Sequence, residues 1–250
     1  MTRWPAGLFA GVVVLTVAAT LQAQTARPGL PGSRNTFGVT AEYSNDSSRI
    51  LMGTAVNVKL GAVGLQYQRR LIANRHLVWS YAMEFRPVIL ESIPAVTYTT
   101  AYTLPIAVTI TGSPQVTPKC VASSESFQFT DLKTGVVTAG SFYARCGRQT
   151  IYAQGFSPFG MKLNLPTRSR LQPTFSSYEG YIFSTQPVPS VNSGSFNFDF
   201  EIGAGLEYYR SPRSSVRLEY QVQHFSNHNT ANSNPGVDNG LLKLTYSFGR

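Results

Sequence analysis

Apolar and polar positions alternate at period two through most of this 250-residue chain. The clearest run is FNFDFEIGAGLEYY at 196–209. Phe196, Phe198, Phe200, Ile202, Leu206 and Tyr208 fall on one side of it, and Asn197, Asp199, Glu201 and Glu207 on the other. Successive side chains of a strand point to opposite faces, so the spacing predicts a strand with one apolar face. Seven further segments read the same way: 35–44, 63–71, 76–86, 159–165, 170–184, 215–226 and 240–248. Segment 170–184 is the weakest, because its parity blurs and Pro173 sits near its start. No stretch carries a convincing helical period, so the chain is expected to be all-β with eight strands.

The connections sort these strands into an architecture. Three are short and basic: IANR, PTRS and RSPR, at 72–75, 166–169 and 210–213. Between them lie four longer ones, at about 45–60, 91–155, 185–195 and 225–239. Short turns at one end and long loops at the other, with the apolar face outward, predict an eight-stranded antiparallel outer-membrane β-barrel. A soluble lipocalin-like barrel is the structural alternative. The 91–155 connection is too long for a plain loop in a compact fold. It reads as an extracellular excursion with local β structure, stapled by Cys120 and Cys146.

Composition extends this picture. Arg3 followed by GLFAGVVVLTVAAT and a small residue at Ala23 reads as a secretory signal peptide over 1–23, leaving 24–250 as one barrel domain. Export makes a disulfide the default state of two cysteines. The formal net charge of +9 suits anionic lipid or a phosphorylated glycolipid better than nucleic acid in an exported chain. Glu42, Glu84, Asp199, Glu201, Glu207 and Glu219 share the inward parity with Arg86, Lys162, Arg217 and Lys243. Mutual charge pairing inside a narrow barrel explains them better than a carboxylate enzyme does.

Candidate chemistry sits near the C-terminus, in HFSNHNTANSNPGVDNGLLKLTYSF at 224–248. His224 and Ser226 continue the apolar, lipid-facing parity of Val216, Leu218, Tyr220 and Val222. Asp238 shares that parity with Leu242 and Leu244 if the last strand begins early enough. Polar groups on a lipid-facing stripe are costly except near the interface. A serine beside an imidazole that an acid orients is the equipment of nucleophilic acyl transfer. His228 reads as a solvated loop residue and His76 as a structural residue of the opposite turn. GFSPFG at 155–160 is not a nucleophile elbow, and no zinc or nucleotide motif is present.

These residues also carry a resemblance. HFSN, then NPGVD after six residues, then a last strand ending YSF, is similar to the outer-membrane lipid A 3-O-deacylases of the PagL type. The SPFGMKLN stretch at 157–164 resembles them as well. The resemblance implies a triad of His224, Ser226 and Asp238, with Asn227, Asn234 and Gly236 serving the oxyanion or substrate. It implies hydrolysis of the ester-linked 3-hydroxyacyl chain at the lipid A 3-position, with no metal or other cofactor. Lipopolysaccharide in the outer leaflet of a Gram-negative-type cell outer membrane would be the partner, and homodimerisation is left open. Asp238 stands where the family commonly has Glu, one methylene longer. The rival reading is a non-enzymatic small barrel that adheres or binds ligand through its long stapled loop.

The leader reading makes a direct prediction: the mature protein should begin at Gln24, as read by mass spectrometry of the N-terminal peptide. A mature chain that keeps residues 1–23 would overturn it.

Overall fold

The structure is a computed structural model and describes residues 33–249. The predicted signal peptide at 1–23 lies outside them. Eleven strands follow one another: β1 (Asn35–Ser44), β2 (Lys59–Ala73), β3 (Val78–Leu104), β4 (Val108–Thr111), β5 (Gln115–Val116), β6 (Ser123–Thr130), β7 (Val137–Asn164), β8 (Leu171–Ser184), β9 (Phe196–Ser211), β10 (Ser214–Ser226) and β11 (Val237–Gly249). Eight of these close into a ring: β1, β2, β3, β7, β8, β9, β10 and β11, with β1 paired to β11 and β3 to β7. Every pairing in the ring is antiparallel. The fold is an eight-stranded outer-membrane-type β-barrel.

Polarity in this barrel is inverted relative to a soluble one. Phe37, Leu65, Phe175, Ile202, Leu218 and Leu244 are exposed on the outside, while Gln66, Thr174, Gln221 and Thr245 are buried within. The thirteen residues of β10 at ~3.4 Å each extend roughly 44 Å. Tilted by ~45°, they clear the ~25 Å apolar band of an outer membrane. Aromatic rings gather at the short-turn rim, where Phe37 lies 5.4 Å from Tyr67 and 6.4 Å from Phe248.

Inside, the predicted acids and cations meet. Lys243 Nζ lies 2.8 Å from Glu42 and pairs with Glu84 and Glu201. Arg86 bridges Asp199, Glu201 and, at 3.6 Å, Glu42. Lys162 reaches Glu207 at 2.9 Å, and Arg217 reaches Glu219 at 2.9 Å. Tyr178 explains the blurred parity of 170–184. It is an inward aromatic whose hydroxyl accepts from Gln66 Nε2 at 2.7 Å and whose ring lies 4.4 Å under Lys243 Nζ. Toward the long-loop end the interior turns apolar. Ile89, Ile93, Ile151, Ile182, Phe225 and Val237 pack there with Ala55, Val58, Val116 and Val188 from the connecting segments. That layer draws the loops down onto the barrel mouth.

Strand lengths differ from the sequence-based expectation, most of all in β3 and β7. The predicted strands 76–86 and 159–165 are the lower ends of β3 and β7, which run on together from Val78↔Asn164 to Leu104↔Ala139. The local β structure expected in the 91–155 excursion is thus a projecting sheet that continues β3 and β7, flanked by β4 and β6. The membrane no longer sets the polarity there, so backbone pairing continues where lipid-facing alternation stops. Cys120 and Cys146 form the expected disulfide, tying the β5–β6 connection to β7.

The interior network generates a stability prediction. Arg86→Met strands carboxylates that are almost fully buried and should cost about 3–5 kcal/mol. Urea unfolding of the barrel from lipid vesicles measures this, and an unchanged midpoint would refute it.

Candidate active site

β10 and β11 place His224 directly opposite Asp238. Directly opposed residues share a face and stand close enough for their side chains to interact. Here the His224 Nδ1–H donates to Asp238 Oδ1 at 2.6 Å. The shorter acid reaches the ring because β11 starts at Val237, one residue before it. His224 faces outward with a side chain 13% exposed, whereas the Asp238 side chain is fully buried. Pairing through Nδ1 leaves Nε2 as the ring nitrogen free to take a proton.

Asp238 is buried by a segment that alternation did not reveal. Residues 45–58, between β1 and β2, fold as a strap across the start of β11, with a bridge from Ser47 to Asn239 and another from Ala55 to Val237. The backbone N–H groups of Leu51 and Gly53 donate to Asp238 Oδ2 at 2.6 and 2.9 Å. Ile50, Leu51 and Met52 project their apolar side chains outward, Met52 being 75% exposed. The sequence signal was the apolar triplet followed by Gly53 after the polar run 45–49.

Ser226 lies two residues beyond His224 on the same outward face, opposite Phe198 of β9, while His224 is opposite Phe200. Its hydroxyl has no hydrogen-bond partner among the described residues. Gly236 sits against both side chains and has a left-handed φ of 61°. A Cβ added there would lie 3.1 Å from His224 Cε1 and 3.7 Å from Ser226 Cβ. The site thus holds an oriented imidazole and an unengaged hydroxyl within reach of one point, beside lipid-facing phenylalanines.

Residues 159–247 match the lipid A 3-O-deacylase (PagL) family. The matched stretch runs from the end of β7 into β11 and contains His224, Ser226 and Asp238. Among solved structures, the outer membrane enzyme PagL aligns at 11% identity and a TM-score of 0.47, covering 84% of this chain and 98% of that one. Neisserial surface protein A aligns at 11% identity and a TM-score of 0.44, covering 87% and 98%. The outer membrane protein OprG from Pseudomonas aeruginosa aligns at 10% and 0.38, covering 90% and 100%. No curated protein matches the chain significantly.

Within the matched stretch, the two asparagines differ in what they have left to offer. Asn227 is buried, donates from Nδ2 to the Ser233 carbonyl at 2.7 Å, and accepts from Asn229 N–H through Oδ1 at 3.0 Å. Its own backbone N–H donates to Asn234 Oδ1 at 3.0 Å. Asn234 is half-buried, and its Nδ2 has no partner among the described residues. His228 is an exposed loop residue whose ring lies 6.1 Å from that of Phe198. His76 belongs to the opposite turn, where its backbone N–H donates to Asn74 Oδ1 at 2.8 Å.

The packing of Gly236 makes a prediction for the ring. Gly236→Ala should shift the His224 side-chain NMR resonances in micelles, since the new methyl meets Cε1 at 3.1 Å. Gly61→Ala, where no atom lies within 4 Å, should leave them in place. Equal spectra for both variants and the parent would refute this packing.

Proposed function

We propose that this barrel is an esterase of the outer leaflet, exported by an N-terminal signal and acting on lipid A in a Gram-negative-type outer membrane. The observation that carries the reading is the 2.6 Å bond from His224 to a buried Asp238 on the lipid-facing rim, with Ser226 beside it. Glu42, Glu84, Asp199, Glu201, Glu207 and Glu219 pair with interior cations, whereas this buried carboxylate serves an outward imidazole. The family match supports the deacylase class, and the Ser/His/acid mechanism is our inference from the residues.

In this mechanism His224 Nε2 removes the Ser226 proton as Oγ attacks the carbonyl carbon of the 3-linked acyl ester. Asp238 holds Nδ1–H and stabilises the imidazolium that forms. The negative charge on the carbonyl oxygen is met by amide donors, with Asn234 Nδ2 the uncommitted one and Asn227 keeping the loop in shape. Collapse of the tetrahedral species breaks the bond to the sugar oxygen, which takes its proton from His224. Water, deprotonated by the same imidazole, then releases the 3-hydroxy fatty acid from Ser226. Phe198 and Phe200 offer apolar surface to the departing chain.

A second reading is favoured by the projecting sheet. Its outward side carries Tyr98, Tyr102, Phe127 and Phe142, with Tyr98 and Phe142 stacked at 5.4 Å, as a binding or adhesion surface would. Only the esterase needs Ser226.

Ser226→Ala should abolish release of the 3-hydroxyacyl chain from lipid A in detergent micelles while the barrel stays heat-modifiable. Asp238→Asn should lower turnover by as much as ~10⁴-fold, by favouring the wrong tautomer. Mass spectrometry of the lipid A reads both. Full activity in Ser226→Ala would overturn the esterase assignment at this site.

A further inference from the structure

We infer that the β1–β2 strap is a positioning element for the proposed reaction, with the backbone amides of Leu51 and Gly53 orienting Asp238 and, through it, His224. The inference rests on the esterase reading and adds residues that lie outside the 159–247 family stretch.

The geometry separates the two oxygens of Asp238. Oδ1 accepts from His224 Nδ1 at 2.6 Å, and Oδ2 accepts from Leu51 and Gly53 at 2.6 and 2.9 Å. An aspartate held only by the imidazole keeps its χ2 rotation. Three N–H groups distributed over two oxygens fix the plane of the carboxylate, and bonds of this charge-assisted kind are the stronger class. The strap is itself anchored on both sides of that contact. Ser48 N–H donates to the Asp238 carbonyl at 3.1 Å, Thr54 N–H to Pro235 at 2.7 Å and Ala55 N–H to Gly236 at 3.1 Å. Ala55 and Val58 add the grip of the apolar layer in the barrel mouth.

Gly53 is required by this packing. A Cβ there would stand 2.7 Å from Asp238 N, 2.8 Å from Cγ and 2.9 Å from Oδ1. Real side chains do not approach backbone and carboxylate atoms so closely, so any larger residue must lift the strap or turn the acid. The strap also removes water from the carboxylate and leaves its two amides as the replacement solvent, a preorganised arrangement. An outward Asp at the membrane rim thereby becomes a fixed group.

The test is a double-mutant cycle on the full-length barrel in micelles. Gly53→Ala should lower kcat on lipid A by about ten- to a hundredfold, the scale expected for misplacement by an ångström or less, with KM nearly unchanged. In an Asp238→Asn background the same substitution should add less than about twofold, because the strap acts through the acid. Leu51→Pro, which deletes one donor without adding a Cβ at residue 53, should behave likewise. In the parent, the Leu51 and Gly53 amides should be protected from hydrogen exchange while the Met52 amide exchanges freely. A Gly53→Ala enzyme with parental kcat, a full additive loss in the Asp238→Asn background, or unprotected Leu51 and Gly53 amides would each overturn the strap's role. An inactive parent, or an Asp238→Asn enzyme as fast as the parent, would instead refute the esterase reading beneath it.

Discussion

A closed ring of eight strands leaves an interior only wide enough for side chains, so the groups placed there find their partners chiefly in one another. That constraint organises the molecule. With lipid on the outside, apolar residues have no reason to go in, so the inward positions become polar and their charges pair across the lumen. Lys243 serving Glu42, Glu84 and Glu201 is the centre of this arrangement. Arg86 extends it to Asp199. Such a network need not be more stable than an apolar core, but removing one member leaves the others buried without a partner. It fixes which face of every strand points outward, and so which face meets lipid.

The candidate site follows from where that rule relaxes. Outward polar groups are costly at mid-bilayer and cheap at the rim, and β10 ends its lipid-facing stripe with His224 and Ser226 at the long-loop rim. A carboxylate on the same face would ordinarily be hydrated. Here the apolar layer in the barrel mouth pulls residues 45–58 over it, so the packing that plugs the barrel also buries the acid.

Much of this was legible in the sequence because parity is a physical constraint of the strand. The eight barrel strands, the inward charges and the shared face of His224, Ser226 and Asp238 all follow from period two. Segment 170–184 resisted because Tyr178 points inward, held by Gln66 and Lys243, where the pattern leads one to expect a polar residue. The reach of β3 and β7 beyond the membrane was hidden for a related reason. Thr97, Thr99 and Ser141 on one face and Tyr98, Tyr102 and Phe142 on the other do not alternate as strongly as lipid demands. The role of the strap was invisible, since it depends on backbone N–H groups that every residue but proline carries. The apolar triplet 50–52 and Gly53 were its trace, and the meaning of the glycine requires Asp238 to be seen beside it.

The projecting sheet and the candidate site occupy opposite sides of the ring. Two strands separate β7 from β10 in one direction, and two separate β3 from β11 in the other. The polar face of the sheet, where Thr99 meets Thr111 at 3.2 Å and Ser126 meets Ser141 at 3.3 Å, continues the inward side of the barrel. Its aromatic face continues the outward side, away from β10 and β11. The proposed chemistry at the rim and any binding by the sheet would therefore draw on different strands of one ring, β10 and β11 for the first and β3 and β7 for the second.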